Sequence, residues 1–455
     1  MIERKEIQEI VRKYKNPIGV VLGSHSALDA LNGLRNYGIR GLVYVTHERA
    51  EIYFREPRVG VPNERIIDLP SICKRDLVVA EDITKIIKSK KKWKEAILII
   101  DKYEDILKPE YQDGLIELEA IQIPNRAFSV YVGGYACEKI EKDFYVPILG
   151  SRDLLKIENR EEVEKNYYWY LEQIKAPYPK KFDYEVVEDG IRFIQKVEQP
   201  VVLKIPHASR RLERGFIFAS NGFDLEEKVK AEVLKRNVLL EDLKSGRAEE
   251  YIPGVTANFN FFYSPIYASE NWGDLEKYSE KWRLANELIS IDERRETTHD
   301  GIIRMLAKDQ LKADWNKTSY PISFEVTAHS MISLRESLLR KIYPIADSFV
   351  EITQKINQPG MIGAYCIQTL ITFEEQPFVS GITQGIYDLE GDRLFDFAFK
   401  VQDLATRHGG GTNVHMGIGS QYSNSKYMRA MSMGDRIALE LFIAKKKKKL
   451  DLIIT

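Results

Sequence analysis

Apolar positions along the first hundred residues follow two alternating periods. MIERKEIQEI mixes charged and apolar residues as an amphipathic helix does. Pro17-Ile18-Gly19-Val20-Val21-Leu22-Gly23 is then an apolar run stopped by glycine. Ala27, Leu28, Leu31 and Leu34 make a helical stripe that ends at Gly38. The segments 41–45, 66–69 and 96–100 read as further strands. Strands alternating with helical stripes predict a parallel α/β domain over roughly the first third.

The pattern changes after a tyrosine-rich stretch at 160–185, which reads as a helix and then a crossover marked by Pro177 and Pro179. Short strands at 191–194 and 201–205, followed by charged helical sequence at 225–247, predict a small α+β module. From 250 to 445 apolar strands mix with helices expected over 330–345 and 425–445. The lysines at 445–449 read as a solvated tail and those at 88–94 as a solvated helix face. No internal repeat and no long low-complexity linker interrupts the chain.

Composition narrows the class. A chain of 455 residues predicts about three domain-sized units, and 44% hydrophobic residues is too apolar for disorder. The 67 basic and 68 acidic side chains leave a net charge of -1, which argues against nucleic acid as a partner. Cys73, Cys137 and Cys366 are too scattered for a disulfide framework or a CxxC metal site. Without a signal-peptide h-region or an apolar stretch of membrane-spanning length, a cytoplasmic protein with no membrane partner is expected.

Three segments carry candidate chemistry. Gly23-Ser24-His25-Ser26 lies where strand one meets helix one, a place where open parallel sheets bind ligands. Ser24 and Ser26 serve equally as plain helix caps there, and His25 as a hydrogen-bonded loop residue. Lys204 ends an apolar strand before a basic loop, Arg210-Arg211-Leu212-Glu213-Arg214-Gly215. It reads either as a phosphate-binding cation or as a lysine snorkelling from a strand edge. Asp403 to Asn413 joins a carboxylate, Arg407, three glycines and an amide, a set suited to magnesium and anions. His408 and His415 lack metal-ligand spacing and read as structural.

Several segments together resemble the archaeal formate-dependent synthetases of 5-formaminoimidazole-4-carboxamide ribonucleotide (FAICAR), within the ATP-grasp superfamily. They include GSHSAL, IPNRAF, VPILGSRDLLKIE, VVLKIPHA, EEYIPGV, FFYSP, IDERRETTHDG, PGMIGAYCIQT, GGTNVHMGIGSQYS and MSMGDRIA, in order along nearly the whole chain. The resemblance implies a parallel α/β pre-grasp domain over 1–124 on the ribonucleotide side. An ATP-grasp domain over 125–455 follows, with a small lid lobe at about 185–250. It also implies a purine-biosynthetic ligase in which formate takes the γ-phosphoryl group of ATP. The 5-amino group of the aminoimidazole carboxamide ribonucleotide (AICAR) then attacks the formyl phosphate. ATP and Mg²⁺ or Mn²⁺ are the implied cofactors, and a homo-oligomer is expected.

Position by position, the resemblance places His25, Ser26, Ala127 and Thr298 at the ribonucleotide. Lys204, Glu250, Arg210 and Arg211 fall at ATP, Gln368, Asp403 and Asn413 at the metal, and Arg407 with Lys204 at the reaction. The chain departs from the family in its ligand regions. Asn125, Arg126 and Ala127 stand for His-Gly-Ser, a basic loop at 209–214 for the glycine-rich lid loop, and Arg295 and Thr298 for Tyr and Asn. An insertion at about 373–400 precedes Asp403. These departures also fit a paralogue acting on another phosphorylated amine, or a nucleotide-binding regulatory subunit without turnover.

Overall fold

A computed structural model describes residues 2–24, 26–55, 76–89, 92–134, 137–159, 163–205, 215–296, 302–303, 306–314, 326–376, 386–387 and 394–455. Five strands, β1 (Ile18–Leu22), β2 (Gly41–Thr46), β3 (Leu77–Ala80), β4 (Glu95–Ile100) and β5 (Ala120–Ile123), form a sheet in the order β3-β4-β2-β1-β5. Every pair is parallel, as the alternating pattern predicted. Val20, Leu22, Leu42 and Tyr44 fill a core on one face, while Val21, Val43 and Val45 fill another on the opposite face. The strand expected at 66–69 lies outside the described residues.

The second core is closed by the far end of the chain. Helix Met433–Lys447 lays Ile437, Ala438, Leu441 and Ala444 on it and crosses helix Ala27–Asn36 at close range. A Cβ on Gly434 would fall 2.0 Å from the carbonyl oxygen of Asp29, so only glycine permits this approach. The lysines at 445–448 are solvated, but they do not form a tail. Ile453 and Ile454 are buried beyond them, and the Thr455 backbone pairs with Ile148 in both directions at 3.0 Å.

Among the described residues, two further sheets and a two-stranded hairpin lie beyond the parallel one. The smaller is antiparallel, β10-β9-β11-β6, from β6 (Lys181–Phe182), β9 (Val201–Lys204), β10 (Phe216–Ala219) and β11 (Arg247–Glu250). Beside it lies a hairpin of β7 (Tyr184–Val187) and β8 (Gly190–Phe193), with helix Gly222–Leu234 packed over both. The larger has six strands in the order β14-β13-β12-β15-β17-β16. They are β12 (Val255–Tyr263), β13 (Asn286–Glu296), β14 (Val326–Met331), β15 (Gly363–Gln376), β16 (Ile386–Tyr387) and β17 (Leu394–Ala405). The helix expected at 330–345 begins after β14 and spans Glu336–Ile356, burying Phe349 against Phe259, Phe261 and Tyr365. The described part of the 373–400 insertion extends the β15–β17 hairpin, with Phe373 opposite Phe397. No described helix is long and apolar enough to cross a membrane.

Candidate active site

Strand register builds the first part of the site. Asp292 on β13, Asn258 on β12, Gln368 on β15 and Asp403 on β17 lie opposite one another in a single row across the large sheet. Directly opposed residues project to the same face with Cβ atoms roughly 5 Å apart. The row lies on the face where Phe262 and Ala364 meet the core of the parallel domain, not on the aromatic face under the long helix. Asp292 is fully buried and accepts from Asn258 Nδ2 at 2.8 Å and from Asn260 Nδ2 at 2.6 Å. His329 Nδ1 lies 3.1 Å away. Asn258 Oδ1 is buried without a hydrogen-bond partner among the described residues. Arg294 donates to Gln368 Oε1, and Asp403 Oδ1 accepts from the Leu404 amide at 2.9 Å.

These groups suit a hard divalent cation. Asp403 and Gln368 are adjacent oxygen donors, and Asn258 beside them carries the orphaned oxygen. Oxygen-only donors favour Mg²⁺ or Mn²⁺. An amide oxygen has two lone pairs, so Gln368 can accept from Arg294 and still serve a metal.

The glycine-rich turn that carries Asn413 lies against the Asp292 end of the row. The 3₁₀ turn Gly411–His415 packs over β13 and β14, and a Cβ on Gly411 would lie 2.1 Å from Asp292 Oδ2. Gly411 is therefore needed to seat the turn on the buried Asp292. Asp403 lies three strands from Asp292, roughly 14 Å at about 4.8 Å per strand. Gln368 is the register partner of Asp403. His415 is structural, bonded to the carbonyls of Gly419 and Ile291 at 3.1 and 3.2 Å. His408 contacts Thr412 and Asp29 at 2.9 and 3.2 Å.

Arg407 is buried and gripped by Glu158, with Nη2 donating to Oε1 at 2.7 Å and Nε to Oε2 at 3.3 Å. Arg126 pairs with the same carboxylate at 3.0 Å. Burial pushes the Glu158 carboxyl up, but Arg126 and Arg407 outweigh it and hold the group down to about 2. A folded-state value below the ordinary 4.5 stabilises the protein above that pH, and the contribution is lost as pH falls toward 2. Denaturant titrations should show the parent losing on the order of 3 kcal/mol more than Glu158→Gln across this window. Parallel acid profiles for the two proteins would overturn the assignment.

In the small sheet, Lys204 and Arg247 are register partners, and Glu249 stands two residues along on the same face. Lys204 Nζ lies 2.5 Å from Glu249 Oε2, and Arg247 Nε lies 2.8 Å from Glu249 Oε1. Tyr168 donates to Glu249, and its ring lies 3.6 Å from the Arg247 guanidinium carbon. Burial pushes the Glu249 carboxyl up, yet Lys204 and Arg247 hold it below the usual range. Glu250, the residue singled out from sequence, alternates to the opposite face of β11 and pairs in register with Val201 at the far end. The carboxylate that faces Lys204 is Glu249.

The third part is a cavity of about 450 Å³ at the carboxyl end of β1. Its lining includes Ser24, Arg49, Tyr53, Arg126, Ala127 and Tyr131. Ser26 holds the N-cap position of helix Ala27–Asn36 but its side chain makes no capping bond. His25, Arg210, Arg211 and Thr298 lie outside the described residues. Sequence reading passed over Glu158, Glu249, Asn258 and Asp292. The signal for Asn258 was present, because Asn258 and Asn260 break an apolar strand at alternate positions.

Comparison with known proteins agrees with this architecture. Residues 224–455 match a domain of unknown function (DUF1297), and residues 18–182 a protein of unknown function (DUF1246). The crystal structure of an IMP biosynthesis protein PurP from Thermococcus kodakaraensis is similar with a TM-score of 0.56. It is 23% identical and covers 96% of this chain and 100% of that one, a likeness of fold. The fold is the expected parallel pre-grasp domain followed by a two-lobed ATP-grasp fold. The 5-formaminoimidazole-4-carboxamide-1-(beta)-D-ribofuranosyl 5'-monophosphate synthetase of Methanopyrus kandleri is 30% identical over the full length of both chains. That of Methanobrevibacter smithii is 30% identical over 100% of this chain and 99% of its own. With end-to-end similarity and the polar row, buried lysine and cavity on one scaffold, this chain belongs to the 5-formaminoimidazole-4-carboxamide ribonucleotide synthetase family.

Proposed function

We propose that this chain joins formate to the 5-amino group of AICAR at the expense of ATP, giving FAICAR, ADP and phosphate in purine (IMP) biosynthesis. The observation that carries the reading is the oxygen row Asp403–Gln368–Asn258 in a chain similar end to end to such synthetases. Asp403, Gln368 and Asn258, with Asn413 as the resemblance places it, would hold Mg²⁺ or Mn²⁺, which when bound neutralises phosphate charge. Lys204, with Glu249 fixing its ammonium, holds the nucleotide phosphates. Arg407, immobilised by Glu158, presents its guanidinium to the charge that develops as formate oxygen attacks the γ-phosphorus. Little covalent chemistry falls to the protein beyond holding carboxylate, phosphate and amine in line. Residues 1–124 supply the ribonucleotide side, 125–455 the grasp, and about 185–250 the lid. His25, Ser26, Ala127 and Thr298 are assigned to the ribonucleotide, and Arg210 and Arg211 to ATP. A cytoplasmic homo-oligomer working on small molecules completes the reading.

One observation favours a second reading, another phosphorylated amine as acceptor: the cavity wall offers the Ala127 methyl where the family resemblance places a serine. Phosphate release from ATP, with formate and AICAR each omitted in turn, separates the two. Release only when both are present, with FAICAR formed, is the expected result. Release that needs formate but ignores AICAR favours the second reading, and release that ignores both overturns the ligase assignment.

A further inference from the structure

We propose that Arg49 and Arg126 form a phosphomonoester clamp in the cavity at the carboxyl end of β1. In this way they set the preference for a phosphorylated over an unphosphorylated ribosyl substrate. The inference rests on the functional reading above and adds to it the groups that grip phosphate.

The two guanidiniums reach the cavity from separate elements, helix His47–Arg55 and helix Arg126–Tyr131. Each is braced by neighbours. The Arg49 guanidinium carbon lies 5.4 Å from the Tyr131 ring and 5.9 Å from that of Tyr103, and Nη2 donates to the Tyr131 hydroxyl at 3.5 Å. Tyr103 and Tyr131 stack on each other at 5.4 Å, which stiffens that platform. Arg126 is tethered by Glu158, and that carboxylate is not among the residues lining the cavity. Among the described residues, those lining this cavity include two cations and no carboxylate. Like charges held in one concavity repel, and a dianion between them relieves the repulsion. Guanidinium forks match phosphate oxygens bidentately, and a phosphomonoester carries close to the two negative charges that two arginines balance. The remaining wall, with Leu28, Ile52 and Val130, is apolar and suits the face of a ribose or base. The volume, about 450 Å³, lies within the range of small-ligand sites.

The test uses the full chain and two probes, ribose 5-phosphate and ribose, read by calorimetry, together with steady-state turnover on AICAR. The parent should bind ribose 5-phosphate and not ribose. Arg49→Gln and Arg126→Gln should each weaken that binding about ten- to a hundredfold, the range expected for a charge-assisted hydrogen bond. The Michaelis constant for AICAR should rise in step while that for ATP stays put. Arg126→Lys should recover part of the loss. Arg126 shares Glu158 with Arg407, so Arg49→Gln, braced by tyrosines alone, is the cleaner variant should Arg126→Gln fold poorly. Equal binding of the two probes by the parent, no binding of either, or unchanged affinity in Arg49→Gln overturns the clamp. If AICAR turns over while both variants match the parent, the clamp fails and the ligase reading stands. If ribose 5-phosphate binding depends on both arginines but AICAR is not turned over, the ligase reading fails and the clamp stands.

Discussion

Asp403→Asn should lower kcat about a thousandfold at saturating substrates and shift the Mg²⁺ dependence to higher concentration, with the fold intact. The exchange removes the one formal charge from the Asp403–Gln368–Asn258 oxygen set while leaving its shape. Asp403 is only half buried, and its bond to the Leu404 amide is one an asparagine oxygen also accepts, so thermal unfolding should barely move. An Asp403→Asn titration that overlays the parent would sink the metal assignment.

The second large effect separates two residues that touch. Lys204→Met should raise the Michaelis constant for ATP by about a hundredfold or more and still fold, because Arg247 continues to pair with Glu249 at 2.8 Å. Glu249→Ala should instead cost roughly 3–5 kcal/mol of stability, since it strips two buried cations of the carboxylate they share. Denaturant midpoints and ATP kinetics on both variants check this. A Lys204→Met enzyme with parental ATP kinetics would remove Lys204 from the nucleotide site.

Thiol chemistry has no part in these schemes. Cys137 and Cys366 are free and buried, and desolvation raises the Cys137 thiol to about 12, where it is inert at neutral pH.

Much of the scaffold was legible from local pattern. The apolar runs at 18–22, 41–46 and 95–100 are strands because a strand buried on both faces leaves no room for polar alternation, and Gly23 marks the end of the first. Lys204 stood out as a charge closing a run of buried aliphatic residues. Asp403 stood out too, because a carboxylate ahead of an arginine and a glycine-rich turn is a local feature. Glu250 came from the family resemblance, whereas the pairing of Lys204 with Glu249 emerges only once the pleat sends the two adjacent carboxylates to opposite faces.

By itself the sequence determined the order of strands and helices, the full-length family likeness and the residue types available for chemistry. Those depend on short-range periodicity and on motifs contiguous in the chain. Only the tertiary structure decided which of those residues meet. The row from Asp292 to Asp403 joins four strands, and its central pair, Asn258 with Gln368, brings together segments more than a hundred residues apart. Glu158 reaches Arg407 across 249 positions. The last helix and the buried C-terminus return to close the core of the first domain, because the apolar face of a parallel sheet must be covered by whatever part of the chain can reach it.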